Sequence, residues 1–248
     1  MKYLILFALI LPGLVQADEQ AVLQWSNRVE LSVPVSGVVK QVNVNVGDHV
    51  RKGQVLLALD SVLFQARVSE IQASFARLTA EQADAKKDLD RVQELYNRTV
   101  VATAELDQAK LRMVRADSQL AQAQANLKLQ QKNLEDSLLR APFDGVVIAR
   151  DAEPGMSVAA TLQPQTLLVL GKSGEMTARL YLDAAKIESL KVGQGVSVVT
   201  GGKNYSGKIR LLGLEPVKHD GASGYQVDVV FPSKEQLRAG VPATVKLP

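Results

Sequence analysis

Two short segments of this chain repeat each other, and between them run 77 residues, Ser61 to Ser137, without a glycine or a proline. Pro34, Gly37, Val38, Val39, Gly47 and Val50 recur 108 positions later as Pro142, Gly145, Val146, Val147, Gly155 and Val158. A three-residue insertion around Gln163 to Gln165 then shifts the offset to 111. Beyond it, Leu56-Leu57-Ala58-Leu59 matches Leu167-Leu168-Val169-Leu170. A split repeat constrains the fold strongly, because a single copy cannot bury its apolar face alone. Both copies read as short β-branched strands, Val38–Val39 and Val42–Val46 in the first and Val146–Ile148 in the second, punctuated by glycines where turns need them. Two four-strand halves packed on each other make a small β-sandwich.

The uninterrupted stretch between the copies has helical periodicity. In its first arm Ile71, Phe75, Leu78, Gln82, Ala85, Leu89, Val92 and Tyr96 follow a 4-3 spacing. In the second, Leu106, Ala109, Met113, Ala116, Leu120, Ala123, Leu127, Gln130, Leu134 and Ser137 follow a 3-4 spacing, with large and small residues alternating. A sustained seven-residue repeat marks a coiled coil, and small residues on one seam let a partner helix come close. The segment Arg98 to Thr103 breaks the heptads and predicts the connecting turn. Glu105 and Asp107 then fall in the first turn of the second arm, complementing its dipole. Arms of about 35 residues reach on the order of 50 Å, far more than a small sandwich needs for its own stability. From about Glu175 the pattern becomes short strands again: Met176–Leu182, Val196–Thr200, Tyr205–Leu212, Tyr225–Phe231 and Val241–Leu247. With one short helix capped by Asp183, these predict a small β-barrel.

Composition removes several classes of chemistry. The chain has no cysteine, which excludes disulfides, thiolate metal sites, thiol nucleophiles and a lipid-modified cysteine anchor. Its 29 basic and 26 acidic residues are interleaved, so no face carries the basic patch that nucleic acid requires. His49 and His219 are isolated in polar contexts and read as solvated histidines. Met113, Met156 and Met176 are scattered, and Met113 sits at a heptad core position. We expect no catalytic residue, no cofactor and no metal. At the N-terminus, Lys2 precedes an apolar run from Tyr3 to Leu14, and Val15-Gln16-Ala17 places small residues at a cleavage position. This predicts a secretion signal cleaved after Ala17, since the run is short of the roughly 20 residues a spanning helix needs. The expected mature chain is exported to the periplasm of a Gram-negative cell.

The most recognisable pieces are Pro34-Val-Ser-Gly37-Val-Val, Val46-Gly47-Asp48-His49-Val50-Arg-Lys-Gly53-Gln-Val-Leu-Leu and Arg140-Ala141-Pro142-Phe143-Asp144-Gly145-Val-Val. Leu190-Lys-Val-Gly193-Gln-Gly-Val and Tyr205-Ser-Gly207-Lys-Ile add to them. Together they resemble the periplasmic adaptor subunits of tripartite efflux pumps, the HlyD or membrane fusion protein family. The resemblance implies a mostly β chain with a long α-helical coiled-coil hairpin, in which a lipoyl-like barrel-sandwich is split by the hairpin and followed by a β-barrel. The boundaries it implies are a signal peptide over 1–17, first lipoyl-like half over 18–60, hairpin over 61–139, second half over 140–174 and barrel over 175–248. A lipoyl or biotinyl carrier would need a lysine on the turn that the hairpin replaces, and no lysine occurs from Gly53 to Ala85.

As the resemblance has it, the hairpin tip docks on a TolC-like outer-membrane channel while the barrel and its flanks meet an inner-membrane transporter. Arg91, Leu95, Asp107 and Ala109 match the family's tip pattern. Ala102 stands where the family often has Ser, with Thr103 beside it. The expected partner is a transporter of the resistance-nodulation-division type, with the adaptor forming a ring-like homo-oligomer in the assembly. An adaptor of an ATP-driven exporter, or a solitary coiled-coil scaffold of the envelope, are the alternatives. With a short lead-in over Asp18 to Val29 and an end directly after the last strand, a membrane-proximal domain is expected to be reduced or absent. Intact mass of the exported protein checks the processing: a chain beginning at Asp18 is expected, whereas one retaining Met1 to Ala17 would be membrane-anchored.

Overall fold

The computed structural model describes residues 18–160, 164–219 and 221–247, so the expected signal segment and its cleavage position at Ala17 lie outside the described residues. In chain order the elements begin with strands β1 (Asp18–Trp25), β2 (Arg28–Leu31), β3 (Gly37–Val42), β4 (His49–Val50) and β5 (Val55–Leu59). Helices α1 (Val62–Asn97) and α2 (Thr103–Asp136) follow. Then come β6 (Leu138–Arg140), β7 (Gly145–Arg150), β8 (Ser157–Val158), β9 (Leu168–Lys172) and β10 (Glu175–Leu182). The chain continues through α3 (Ala184–Ile187), β11 (Gly195–Thr200), β12 (Lys203–His219), β13 (Ala222–Pro232) and β14 (Pro242–Lys246). Two compact units divide it, one holding the sandwich with its hairpin and the other the barrel. Among the described residues no helix is long and apolar enough to cross a membrane.

In the sandwich the two copies do not form one sheet each. The sheets run β2-β9-β7-β4 and β6-β5-β3-β8, each taking two strands from each copy. Exchanging β2 with β6, β3 with β7, β4 with β8 and β5 with β9 converts one order into the other. The hydrogen bonds obey the same exchange. Gly47 N–H donates to Val147 O at 2.9 Å and Gly155 N–H to Val39 O at 2.8 Å. Val147 N–H donates to Asp48 O at 3.0 Å and Val39 N–H to Met156 O at 2.9 Å. Gly47 and Gly155, at φ 95° and 88°, occupy equivalent left-handed turn positions that a side chain would strain. The matched quartets Leu56 to Leu59 and Leu167 to Leu170 are all buried, which places the repeat's apolar residues in the interior.

The hairpin leaves this sandwich between two paired strands. β5 and β6 run antiparallel, with Leu57 opposite Leu139, and Leu59 N–H donates to Ser137 O at 2.9 Å. The bases of α1 and α2 are therefore held side by side. Every heptad position from Ile71 to Val92 is buried or half-buried, as are all those of the second arm, with Ala109, Ala116 and Ala123 buried. Tyr96, the last of the first arm, is exposed. The turn is one residue shorter than expected, because Thr103 is already helical, and Asp107 lies in the second turn of α2 rather than the first.

The barrel is a closed six-stranded sheet, β1-β10-β13-β12-β11-β14. Its first strand corrects the sequence reading, which counted Asp18 to Val29 as a short lead-in within the first lipoyl-like half over 18–60. Asp18 to Val22 pair with Pro242 to Lys246, and Val22 to Trp25 with Met176 to Arg179, so the segment closes the barrel. Leu23, Ala178, Leu180, Ile209, Val227, Val229 and Phe231 fill the interior. On β10 and β13, Arg179 donates two hydrogen bonds to the buried Asp228 carboxylate, 2.7 and 2.9 Å long. β12 also runs well past the expected end at Leu212. The strand carries Gly213 and Pro216 through a register shift between Leu212 and Pro216, where a missing donor is tolerated. His219, expected in a solvated loop, lies at the end of β12 and stacks on Tyr181 with ring centroids 4.2 Å apart. His49 is in strand β4 and exposed. Asp183 caps α3 as expected, accepting from Lys186 N–H at 2.9 Å.

Gly207 shows why one motif glycine is required. A Cβ there would come within 2.7 Å of Val229 Cγ1 and 3.3 Å of the Val230 carbonyl oxygen. Gly207→Ala is expected to destabilise the barrel by about 1–3 kcal/mol through overpacking. Thermal unfolding checks it, and an unchanged midpoint would show that β12 and β13 separate freely.

Candidate docking site at the hairpin tip

The far end of the hairpin is built on very little buried surface. Val92, Leu106 and Ala109 form its small core, with Leu89 and Val101 packed against it. From there α1 ends at Asn97 and the chain reverses in five residues. Val100 N–H donates to Leu95 O at 3.0 Å and Thr99 N–H to Tyr96 O at 2.9 Å. This is the bonding of a helix that closes on a left-handed residue, usually glycine. Here the residue is Thr99, at φ 62°, the only non-glycine with positive φ among the described residues. A β-branched side chain in that region is strained by roughly 1–2 kcal/mol. Val100 follows, 66% exposed.

Ala102 is the N-cap residue of α2, with extended backbone at φ −79° and ψ 156° and no side-chain cap. Its carbonyl accepts from Glu105 and Leu106 N–H. A serine at this position would cap the helix, so the family's usual residue has a structural use that Ala102 forgoes. Thr103, the neighbouring hydroxyl, turns to the Tyr96 phenol at 3.4 Å.

Below the turn, both helices are clamped by one carboxylate. Arg91 Nη2 donates to Asp88 Oδ1 at 2.5 Å, and Arg112 Nη2, from α2, to Asp88 Oδ2 at 2.6 Å. The hydrogen bond from Arg91 first, and that from Arg112 second, hold the Asp88 carboxyl below its ordinary range. Arg91 remains 71% exposed. Leu95 is half-buried on the same helix, and Asp107 is exposed on α2 with Lys110 at 3.9 Å.

The tip thus brings Arg91, Leu95, Ala102, Thr103 and Asp107 to one end of the hairpin. Ala109 does not belong with them as a contact surface. It is 1% exposed in the seam, where its methyl group sets the spacing of the helices. Thr99 and Val100 were read only as part of the connecting turn, because nothing in a Thr-Val pair marks a left-handed residue. The Asp88–Arg112 clamp was not read from the sequence, because it joins residues 24 apart on two different helices. Thr99→Gly is expected to stabilise the protein by roughly 0.5–1 kcal/mol, relief of strain being offset by chain entropy. Ala102→Ser is expected to add about 1 kcal/mol through capping. Thermal unfolding measures both, and no gain from either would mean that the tip is not held in this conformation.

Residues 27–168 match the family described as CzcB-like, barrel-sandwich hybrid domain. Among curated proteins, a macrolide export protein MacA of Yersinia pestis is 29% identical over 227 residues, covering 85% of this chain and 61% of the relative. The chain therefore spans about six-tenths of that relative's length. Among solved structures, MacA from Actinobacillus actinomycetemcomitans superposes with a TM-score of 0.67 at 20% identity, over 94% of this chain and 79% of the other. The membrane fusion protein Spr0693 from Streptococcus pneumoniae gives 0.66 at 19% identity, over 94% and 98%. At these identities the superpositions establish a common fold.

Proposed function

This chain belongs to the HlyD or membrane fusion protein family of periplasmic adaptors, through a barrel-sandwich domain of the CzcB-like kind, and on that premise we propose that it joins an inner-membrane transporter to a TolC-like outer-membrane channel for efflux of small molecules. Its role is to hold and seal rather than to catalyse. One observation carries the reading: helices of 36 and 34 residues are inserted between the halves of a small sandwich and end in a turn with exposed Arg91 and Val100. At 1.5 Å per residue the first helix extends about 54 Å. Stability does not call for such an element, whereas reaching a partner across the periplasm does.

Docking at the tip would use the outward face of Arg91, with Leu95, Thr103 and Asp107 around it. Relatives named for macrolide export support small molecules as the cargo. The transporter expected from the sequence, of the resistance-nodulation-division type, rests on analogy alone. Neighbouring reading frames test it: a protein with about twelve spans and two large periplasmic loops is expected, and one with a Walker A motif would replace it by an ATP-driven partner.

The tip is expected to matter for transport and little for folding. Arg91→Asp and Leu95→Ser should each lower efflux and weaken recovery of the channel in a pull-down. Both should leave the thermal midpoint nearly unchanged, because exposed ion pairs and half-buried tip residues contribute about 1 kcal/mol or less. Full efflux by both variants would remove the docking role from these residues. Recovery of neither transporter nor channel by the unaltered chain would favour a solitary envelope scaffold.

A further inference from the structure

Where α1 leaves the sandwich, its opening turn and the start of β3 spread apart around a cleft of about 380 Å³. Val38, Val62 and Leu63 line it with 45%, 61% and 72% of their surface exposed, and Phe64 is half-buried beside them. Among the described large apolar residues only Leu214 is more exposed than Leu63. A single exposed apolar side chain is ordinary, whereas three on one concave surface mark a place where something binds. The internal repeat supplies a comparison. By the 108-residue offset Val38 corresponds to Val146, which is 4% exposed. The chain therefore leaves open at Val38 what is covered at Val146, and the opening belongs to the repeat copy that runs into the hairpin. Its volume falls within the range of small-molecule sites, about 300–1,000 Å³.

The polar groups of the cleft are few and stand at its two ends. Ser36 Oγ accepts from Ala160 N–H at 3.0 Å, which leaves its hydroxyl proton to donate. Asp60 Oδ1 accepts from Val62 N–H at 3.1 Å, and Asp60 N–H donates to Val38 O at 2.8 Å, so this carboxylate is tied to the backbone. Arg67 stands about 7.5 Å further along the helix than Val62. It lines the cleft, is exposed, and has no ion-pair partner among the described residues. An unpaired guanidinium on the rim of an apolar cleft is matched by an acidic head group on an apolar body, because charge-assisted hydrogen bonds are about twice as strong as neutral ones. From this we infer that the cleft binds an amphiphilic organic anion. Its apolar body lies against Val38, Leu63 and Phe64, and its carboxylate or sulfonate is held by Arg67. Asp60, at the other end, repels a second negative charge, so the ligand is charged at one end only. A molecule seated there touches the sandwich and the opening turn of α1 together. The inference does not depend on the adaptor reading, and its test requires no transport.

Two fluorescent probes that share their ring system test the site on the purified full chain. Anilinonaphthalene sulfonate carries one negative charge, and phenylnaphthylamine has the same rings without it. Both brighten when the rings leave water. Saturable binding of the sulfonate at a single site is expected. Arg67→Glu should weaken that binding about tenfold or more while leaving the uncharged probe within about twofold, since only the head group is lost. Arg67→Gln should weaken the sulfonate in the same direction by less, and Arg67→Lys should keep most of its affinity. Leu63→Ser should weaken both probes, because it removes part of the apolar wall. All these positions are exposed, so the thermal midpoints are expected to stay unchanged. Leu214→Ser, at the most exposed leucine of the barrel, should alter neither probe. No saturable binding of the sulfonate overturns the site. So does a loss on Leu214→Ser in place of Leu63→Ser. Equal effects of Arg67→Glu on the two probes overturn the recognition of an anion.

Discussion

The pairing of β5 with β6 is the contact on which this architecture turns. It joins the last strand of one repeat copy to the first strand of the other, and both helices of the hairpin spring from it. With Leu59 N–H bonded to Ser137 O, the chain leaves and re-enters the sandwich at one place, so the long insertion closes its loop at little cost to the domain. The exchange of strands between copies secures that place. Each sheet needs two strands from either side of the insertion, and the apolar quartets of both copies are buried only when both are present. A 77-residue interruption is tolerated because the interrupted sandwich is assembled by long-range pairing in any case.

The hairpin obeys weaker forces. Its inner seam is half-buried along most of its length, and only Val92, Leu106, Ala109, Ala116 and Ala123 are fully so. Cross-helix polar contacts supply register where apolar burial is thin: Gln82 bonds Asp117 at 3.0 Å, and Asp88 is shared between Arg91 and Arg112. A two-helix coil so lightly covered on its outer faces is the form expected of an element that completes its packing elsewhere. The tip follows the same logic, with a strained Thr99, an uncapped Ala102 and an exposed Val100 in place of residues that would stabilise the turn.

The barrel unit is held differently. Its closure depends on β1, a strand that precedes the sandwich in the chain and supplies pairing to both β10 and β14. Inside, alternate residues of β10 and β13 interdigitate around Phe231, and the Arg179–Asp228 pair is satisfied by two direct hydrogen bonds and by Gln226. The close approach of Gly207 to Val229 fixes how tightly β12 and β13 can run.

Periodicity and repetition made much of this legible in the sequence. The 108-residue offset announces the sandwich, because equivalent turns need equivalent glycines. The heptads name the inner seam of both helices up to Tyr96, because side chains repeating every seven residues share the face that meets the partner helix. The family pattern marked Arg91, Leu95, Ala102, Thr103, Asp107 and Ala109 for docking, and these positions lie on the distal part of the two helices and their turn. Other features depended on partners distant in the chain. Asp18 to Trp25 reads as a lead-in until β10 and β14 flank it, and Ala109 passes for a tip residue until Val92 and Leu106 bury it. His219 reads as a loop histidine until Tyr181 stacks on it. Local spacing determined which residues share a face. Tertiary structure alone decided which faces meet, because a strand's pairing partner and a helix's neighbour are chosen by burial and hydrogen bonding across separations that no local pattern records.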